Sequence, residues 1–432
     1  MKSKYLIIIS FDAVSSNDLN ELDKLPNFKY IIEKGAYIKK VESVYPTLTY
    51  PAHTSIITGK YPKNHGVIDN TLYHPGDLHP SWYWYRKYIK SDTIIDIASQ
   101  KGMTTCAILW PVTGGAKIDY NFSEIFPVKW YHNQILMSLC SGSPLYQYKL
   151  NKKYGHLRKG LEQPFLDNFV MKCVEDTMEN IMPELMMVHF TDVDTNKHLH
   201  GIRSKEAEEA LKRHDERLGR ILEILKEKGI LDDTDVIVLG DHAAKDVNKI
   251  IKINKLLVDK GYINVSKNGS LLEYDAYCKG LDGAAYIYLK NPQNEEVKRN
   301  IEKLLKGFAE KSGAIEYIAD EEKIKQYGAD LNASFILEAK EGYYFLDNFT
   351  GEVIEEVRES EVGKVDHIYK AVHGYSPRKD DYKTFFIGYG KDFKEGMVIN
   401  GGKIINHGPT IAKLLGGELK NCDGEVEYDV FA

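Results

Sequence analysis

Five side chains in this sequence have the types and spacing of metal ligands: Asp12, Asp194, His198, Asp241 and His242. Asp194 and His198 stand four apart, one turn of a helix, so both can face the same point. Asp241 and His242 supply an adjacent carboxylate and imidazole. Oxygen and nitrogen donors without thiolate suit zinc, with manganese or iron as alternatives. A second feature is chemical in another way. In Tyr45-Pro46-Thr47-Leu48-Thr49-Tyr50-Pro51-Ala52-His53, Pro51 fits the first position of a helix that Gly59 would stop. Thr49 then sits beside a helix N-terminus, where free N–H groups and the helix dipole favour a phosphoryl anion. A metal next to its hydroxyl would favour the alkoxide, making Thr49 a candidate nucleophile.

Such residues must be brought together by strands. Tyr5 to Ser10, Thr104 to Leu109, Leu185 to Phe190 and Val236 to Gly240 are apolar, β-branched runs separated by helical stretches. That pattern predicts a mostly parallel central sheet with helices on both faces, an α/β fold. Three of the four runs end at candidate ligands, and ligands of such sheets gather outside the carboxyl ends of the strands. Ser204 to Lys228 reads as a covering helix with a stripe of Leu211, Leu218, Ile221, Leu222 and Leu225, stopped by Gly229. Residues 130–179 break the alternation and read as a helical insert, with an amphipathic helix opening at Pro164. Residues 255–365 carry candidate strands Ala284 to Leu289, Ser334 to Glu338 and Tyr343 to Leu346 between Lys- and Glu-rich stretches, which predicts a smaller α+β cap insert. The catalytic core is then 1–254 with 366–432, where Thr384 to Gly388 reads as a strand and Thr410 to Leu415 as a helix.

The 432 residues are 43% hydrophobic with a formal net charge of −6, enough for a large core and without a basic arm for a nucleic-acid polymer. The five cysteines, Cys106, Cys140, Cys173, Cys278 and Cys422, form no C-x-x-C pair and read as reduced thiols. The N-terminus reads as a first strand rather than a leader, and no apolar run is long enough to span a bilayer. The expectation is a soluble cytoplasmic enzyme with a small-molecule substrate and no membrane partner.

In this order the motifs resemble the alkaline phosphatase superfamily, and within it the nucleotide pyrophosphatase/phosphodiesterase branch, also called type I phosphodiesterases. The carriers are Pro46-Thr47-Leu48-Thr49-Tyr50-Pro51-Ala52-His53 with its continuation Thr58 to Asn70, Asp194-Thr195-Asn196-Lys197-His198-Leu199-His200-Gly201, Asp241-His242, and His373-Gly374-Tyr375. The resemblance implies an alkaline phosphatase-like fold and two zinc ions. One is held by Asp12, Thr49, Asp241 and His242, the other by Asp194, His198 and His373. It makes Thr49 the nucleophile through a phosphothreonine intermediate, Asn70 a holder of the phosphoryl oxygen, and Tyr50 a platform for a nucleobase, with Trp82 to Tyr85 as a second wall. Ala52, Lys197 and Ala243-Ala244 depart from the common pattern. No Arg stands beside Thr49 to bind a monoester dianion, so a phosphodiester or pyrophosphate of nucleotide type is expected. A phosphonate hydrolase or phosphomonoesterase on the same site is the alternative within the enzymes, and a metal- or nucleotide-binding sensor without turnover the alternative outside them. His53, His65, His200, His214 and His407 read as structural or surface residues, and Asp192 and His200 are the neighbours that a register error would exchange for Asp194 and His198.

Overall fold

The strand Tyr5–Phe11 shows how the fold is organised, because its side chains alternate between two cores. Leu6 and Ile8 pack with the helices Thr49–Thr58, Ile94–Gln100 and His407–Leu414 on one face. Ile7, Ile9 and Phe11 pack with Pro26–Lys34, Phe165–Asn180 and Lys205–Glu227 on the other. A strand buried on both faces has to be apolar throughout, which is why the run is continuous rather than alternating. The computed structural model describes residues 3–432. Its central sheet has eight strands, with Tyr5–Phe11 between Leu185–Phe190 and Thr234–Leu239, both parallel to it. Thr105–Ile108 and Tyr120–Phe122 extend the parallel side. On the other side Thr384–Tyr389 is antiparallel to its neighbours Thr234–Leu239 and Ala36–Glu42, and Met397–Lys403 closes the edge.

The long helix forms at Lys205–Glu227, with the Ser204 hydroxyl accepting from Ala207 N and Gly229 in the left-handed region beyond it. The helix behind Thr49 starts two residues earlier than the position of Pro51 suggested, at Thr49. Proline is tolerated there because the first four N–H groups of a helix have no partner inside it.

Two boundaries differ from the sequence reading. In the segment read as an insert, Phe165–Asn180 buries Phe169, Val170, Cys173 and Met178 against the strands of the central sheet, so it is a covering helix of the core. An amphipathic period reveals a buried face without saying what buries it. Gln134–Ser141 and Pro144–Tyr154 precede it. The second difference is Lys245–Ile251, read as core. It pairs with Gly342–Phe345, Ile354–Glu356 and Ala371–Val372 in a small sheet of its own. Beside it lies an antiparallel sheet ordered Ala276–Leu281, Ala284–Leu289, Phe335–Ala339, Ile315–Ala319. The chain therefore leaves the central sheet after Thr234–Leu239, by way of Asp241 and His242, and rejoins it at Thr384–Tyr389, past His373.

Candidate metal centre and nucleophile

The expected ligands follow the ends of strands or lie on the helix after one. Asp12 follows Tyr5–Phe11, and Asp241 and His242 follow Thr234–Leu239. Asp194 and His198 lie one turn apart on Asp192–His200, the helix that follows Leu185–Phe190. His373 follows Ala371–Val372. Donor atoms of Asp194, His198 and His373 lie within 4.8 Å of one another, and so do those of Asp12, Asp194 and His242. Thr49 Oγ1 is 3.1 Å from His242 Nε2. That nitrogen is also 3.3 Å from Asp12 Oδ1 and 3.3 Å from Asp241 Oδ2.

The polar atoms of this cluster fit a cation better than they fit one another. Asp12 Oδ1, Asp194 Oδ1, Asp241 Oδ2 and His373 Nδ1 are buried and make no hydrogen bond. A buried carboxylate oxygen left so is costly unless a charge satisfies it. Electrostatics agree. Burial pushes Asp194 up to about 7 against the pull of His198, and burial with the charge of Asp12 drives Asp241 well above the carboxylate range. Burial opposes ionisation of Asp12 too, but the hydrogen bond from His189 and the charge of His242 hold it low. Three carboxylates packed this closely repel as anions, and divalent cations would relieve that repulsion.

The imidazoles are set by their other nitrogens. His198 Nδ1 is 2.7 Å from Ala371 O, which makes it the donor and turns Nε2 toward Asp194 at 3.3 Å. His242 Nδ1 lies 3.3 Å from Ala243 O, leaving Nε2 for Thr49. Burial lowers His242 to about 4, so its ring is the neutral form that can ligate.

Thr49 is the first residue of its helix, and its neighbour Leu48 offers no side-chain cap, so the N–H groups of the first turn stay available to an anion. One of them is used: Tyr50 N donates to Asn70 Oδ1 at 2.9 Å. This fixes the Asn70 amide through its oxygen and leaves Nδ2 as its donor. Tyr50, expected as a platform for a nucleobase, is closed in. Its ring is fully buried, edge-on to Trp82 at 5.2 Å, with the hydroxyl 3.3 Å from Glu124 Oε1. Half-buried Trp82 is the aromatic face nearer solvent, while Tyr83 and Trp84 are buried in the core.

The neighbours that could be confused with ligands are separated cleanly. Asp192 is buried in a fork with Arg213 and Arg217, at 2.7 Å and 3.0 Å, and His200 is exposed. Lys197, which departs from the common pattern, points away: Nζ donates to Ala13 O at 2.9 Å and to Asp18 Oδ2 at 2.8 Å. His65 bonds Ser55, His214 contacts Phe11 and Arg217, and His407 packs on Phe386. His53 holds Thr49 O and Ser10 Oγ at 2.8 Å and 2.9 Å and stands 3.5 Å from Asp241 Oδ2, so it braces the site from behind.

Two residues escaped the sequence reading. His189, inside a strand, lies 3.2 Å from Asp12 Oδ2 and 3.3 Å from Glu124 Oε2. Burial works against its charge, and the two carboxylates outweigh burial to raise it well above the usual imidazole range. Asp282 stands 3.3 Å from His373 Nδ1. It occupies a left-handed φ of 60° in the Asp282-Gly283 turn between two cap strands. Asp-Gly signals a hairpin turn, and nothing in that signal points to a site 91 positions later in the chain. Gly374 explains why the turn and His373 fit together: a Cβ there would stand 1.9 Å from Leu281 O.

Comparison with known proteins places this geometry. The fold is alkaline phosphatase-like, and solved structures of murine ectonucleotide pyrophosphatase/phosphodiesterase 5 superpose with a TM-score of 0.67 at 18% identity, covering 99% of this chain and 100% of theirs. The chain belongs to the type I phosphodiesterase / nucleotide pyrophosphatase family, whose model matches residues 6–376. It is 27% identical over 254 residues to human ectonucleotide pyrophosphatase/phosphodiesterase family member 1, spanning 56% of this chain and 24% of that protein. A bis(5'-adenosyl)-triphosphatase of Xenopus laevis is 22% identical over 275 residues, 61% of this chain and 52% of its own length. The match thus spans about a quarter of the human relative and about half of the frog one. A murine structure of the same type is a complex with AMP, at 17% identity.

Proposed function

We propose that this chain is a metal-dependent hydrolase that cleaves phosphodiester or pyrophosphate bonds of nucleotide-like substrates, with Thr49 as nucleophile. The observation that carries the reading is the convergence of the Thr49 hydroxyl, an uncapped helix N-terminus and two ligand clusters with orphaned carboxylate oxygens at one point. Asp12, Thr49, Asp241 and His242 would hold one divalent ion, and Asp194, His198 and His373 the other. Zinc suits this nitrogen and oxygen set best. Bound there, the ions would polarise the phosphoryl group and lower the pKa of the Thr49 hydroxyl.

The protein's own groups supply the rest. Thr49 Oγ1 gives up its proton and bonds phosphorus as the leaving-group oxygen departs. Water then attacks phosphorus, the Thr49 ester bond breaks, and the hydroxyl is restored. Asn70 Nδ2 and the free N–H groups of the first helical turn donate to the non-bridging oxygens as charge grows on them. Among the described residues no Lys or Arg bonds Thr49 or Asn70. A monoester dianion would want such a cation, so the diester is favoured. Kinship to nucleotide pyrophosphatases and to a diadenosine triphosphatase supports a nucleotide-like substrate. Zinc-reconstituted protein should turn over a p-nitrophenyl nucleotide diester faster than p-nitrophenyl phosphate, and chelation should stop both. A monoester preference would reassign the site to a phosphatase, and loss of neither activity on chelation would exclude metal dependence.

A further inference from the structure

Residues 129–161 contain six Lys or Arg and no Asp or Glu, in a chain whose formal net charge is −6. The same segment holds half of the large apolar side chains exposed among the described residues, Trp130 at 95%, Ile135 at 69% and Leu145 at 75% among them. These are arranged on a surface. In Pro144–Tyr154, Tyr146 and Leu150 are buried, while Leu145, Tyr148, Lys149 and Lys152 recur at helical spacing on the outer side. The preceding helix, Gln134–Ser141, packs on it and exposes Ile135 and Leu136. Lys129 and Lys153 are paired with Asp77 and Asp176, but among the described residues Lys149, Lys152 and Lys159 form no ion pair, Lys159 lying over the Phe165 ring.

We infer that this face docks on an anionic lipid surface, with Trp130, Tyr131, Leu145 and Tyr148 entering the interfacial layer and the unpaired lysines reaching the headgroups. Aromatic rings and lysines side by side are what a membrane interface receives: rings settle at headgroup depth, and ammonium groups meet anionic lipid. Among the described residues no helix is long and apolar enough to cross a membrane, so the contact is peripheral. It replaces the expectation of no membrane partner. A second copy of the chain fits poorly, because two faces that each carry unpaired lysines repel. A nucleic acid would answer the lysines and leave the aliphatic tips in water. Contacts of Trp82 with Tyr50 and Phe126, of Phe126 with Trp84, and of Trp84 with His132 join the face to the site, so docking would hold the site near the lipid.

Vesicle co-sedimentation tests this on the full chain, using phosphatidylcholine vesicles with and without phosphatidylserine, at low and high salt. The expected result is binding that needs phosphatidylserine, weakens with salt, and blue-shifts a tryptophan emission component absent from Trp130→Phe. Lys149→Glu with Lys152→Glu should weaken binding by roughly fivefold or more per residue, and Leu145→Glu with Tyr148→Glu should abolish it. Both variants should keep hydrolysis of a soluble diester. No vesicle binding, equal binding to neutral vesicles, retention of nucleic acid instead, or a dimer that the same variants dissociate would each overturn the inference. Docking without hydrolysis would leave it standing and sink the proposed function instead.

Discussion

Asn70 and Asp282 carry the site's specificity of geometry at the scale of single residues, and each makes a different prediction. In the proposed mechanism Asn70 donates to a phosphoryl oxygen and holds no metal, so Asn70→Ala should lower kcat by about 100-fold to 1000-fold, the range for removing one such donor. Metal content of the purified variant should be unchanged; a parallel loss of metal would mean Asn70 is structural. Asp282 lies 3.3 Å from His373 Nδ1 without a hydrogen bond to it, so it acts on that ring by its charge. Asp282→Asn should therefore weaken metal affinity by about 10-fold to 100-fold, seen in a competition titration with a chelating dye. Activity at saturating metal should largely recover, and failure to recover would place Asp282 in the chemistry itself. Most of the candidate site was legible in the sequence because the expected ligands lie near the ends of strands, and strand ends are readable from apolar runs. Thr49, Asp194, His198, Asp241 and His242 stood at such ends or beside a helix start. His189 and Asp282 did not: one hides as an ordinary strand residue, the other in a turn whose chemistry explains itself.

The elements around Thr47 and His373 are tied together by Glu338 of Phe335–Ala339. It accepts from Tyr45 Oη at 2.6 Å and from Ser376 N at 2.9 Å, so a cap strand clamps both chain segments that lead into the site. Burial raises this carboxyl to about 7 despite those bonds. A carboxyl whose folded pKa is raised binds more protons folded than unfolded, so its contribution is full below about 4.3, the unfolded value, and is lost as pH rises through 7. Denaturant titrations between pH 5 and pH 7 should show stability falling with pH, and Glu338→Gln should flatten the fall. An identical slope in the variant would show that Glu338 is not its source. The cap elements were visible in sequence as strands and charged stretches. Their pairing with Lys245–Ile251 was not, since pairing across about 100 residues depends on which edges are free rather than on any local signal.

At the scale of the molecule, the chain crosses between central sheet and cap twice, and each crossing carries candidate ligands: Asp241 and His242 on the way out, His373 on the way back. Metal binding should thus stabilise the two parts together. A chelator should lower Tm, and restored zinc should raise it with a dependence on free metal that follows RT ln(1 + [L]/Kd); a Tm indifferent to zinc would contradict a built site. The central claim is that Thr49 is the nucleophile of a two-metal hydrolase, and it is tested most directly by Thr49→Ala, assayed for turnover of a p-nitrophenyl nucleotide diester with metal content measured on the same sample. Turnover should fall by at least about 1000-fold while most of the metal remains bound through the carboxylates and imidazoles. Near-normal turnover by that variant would contradict the account.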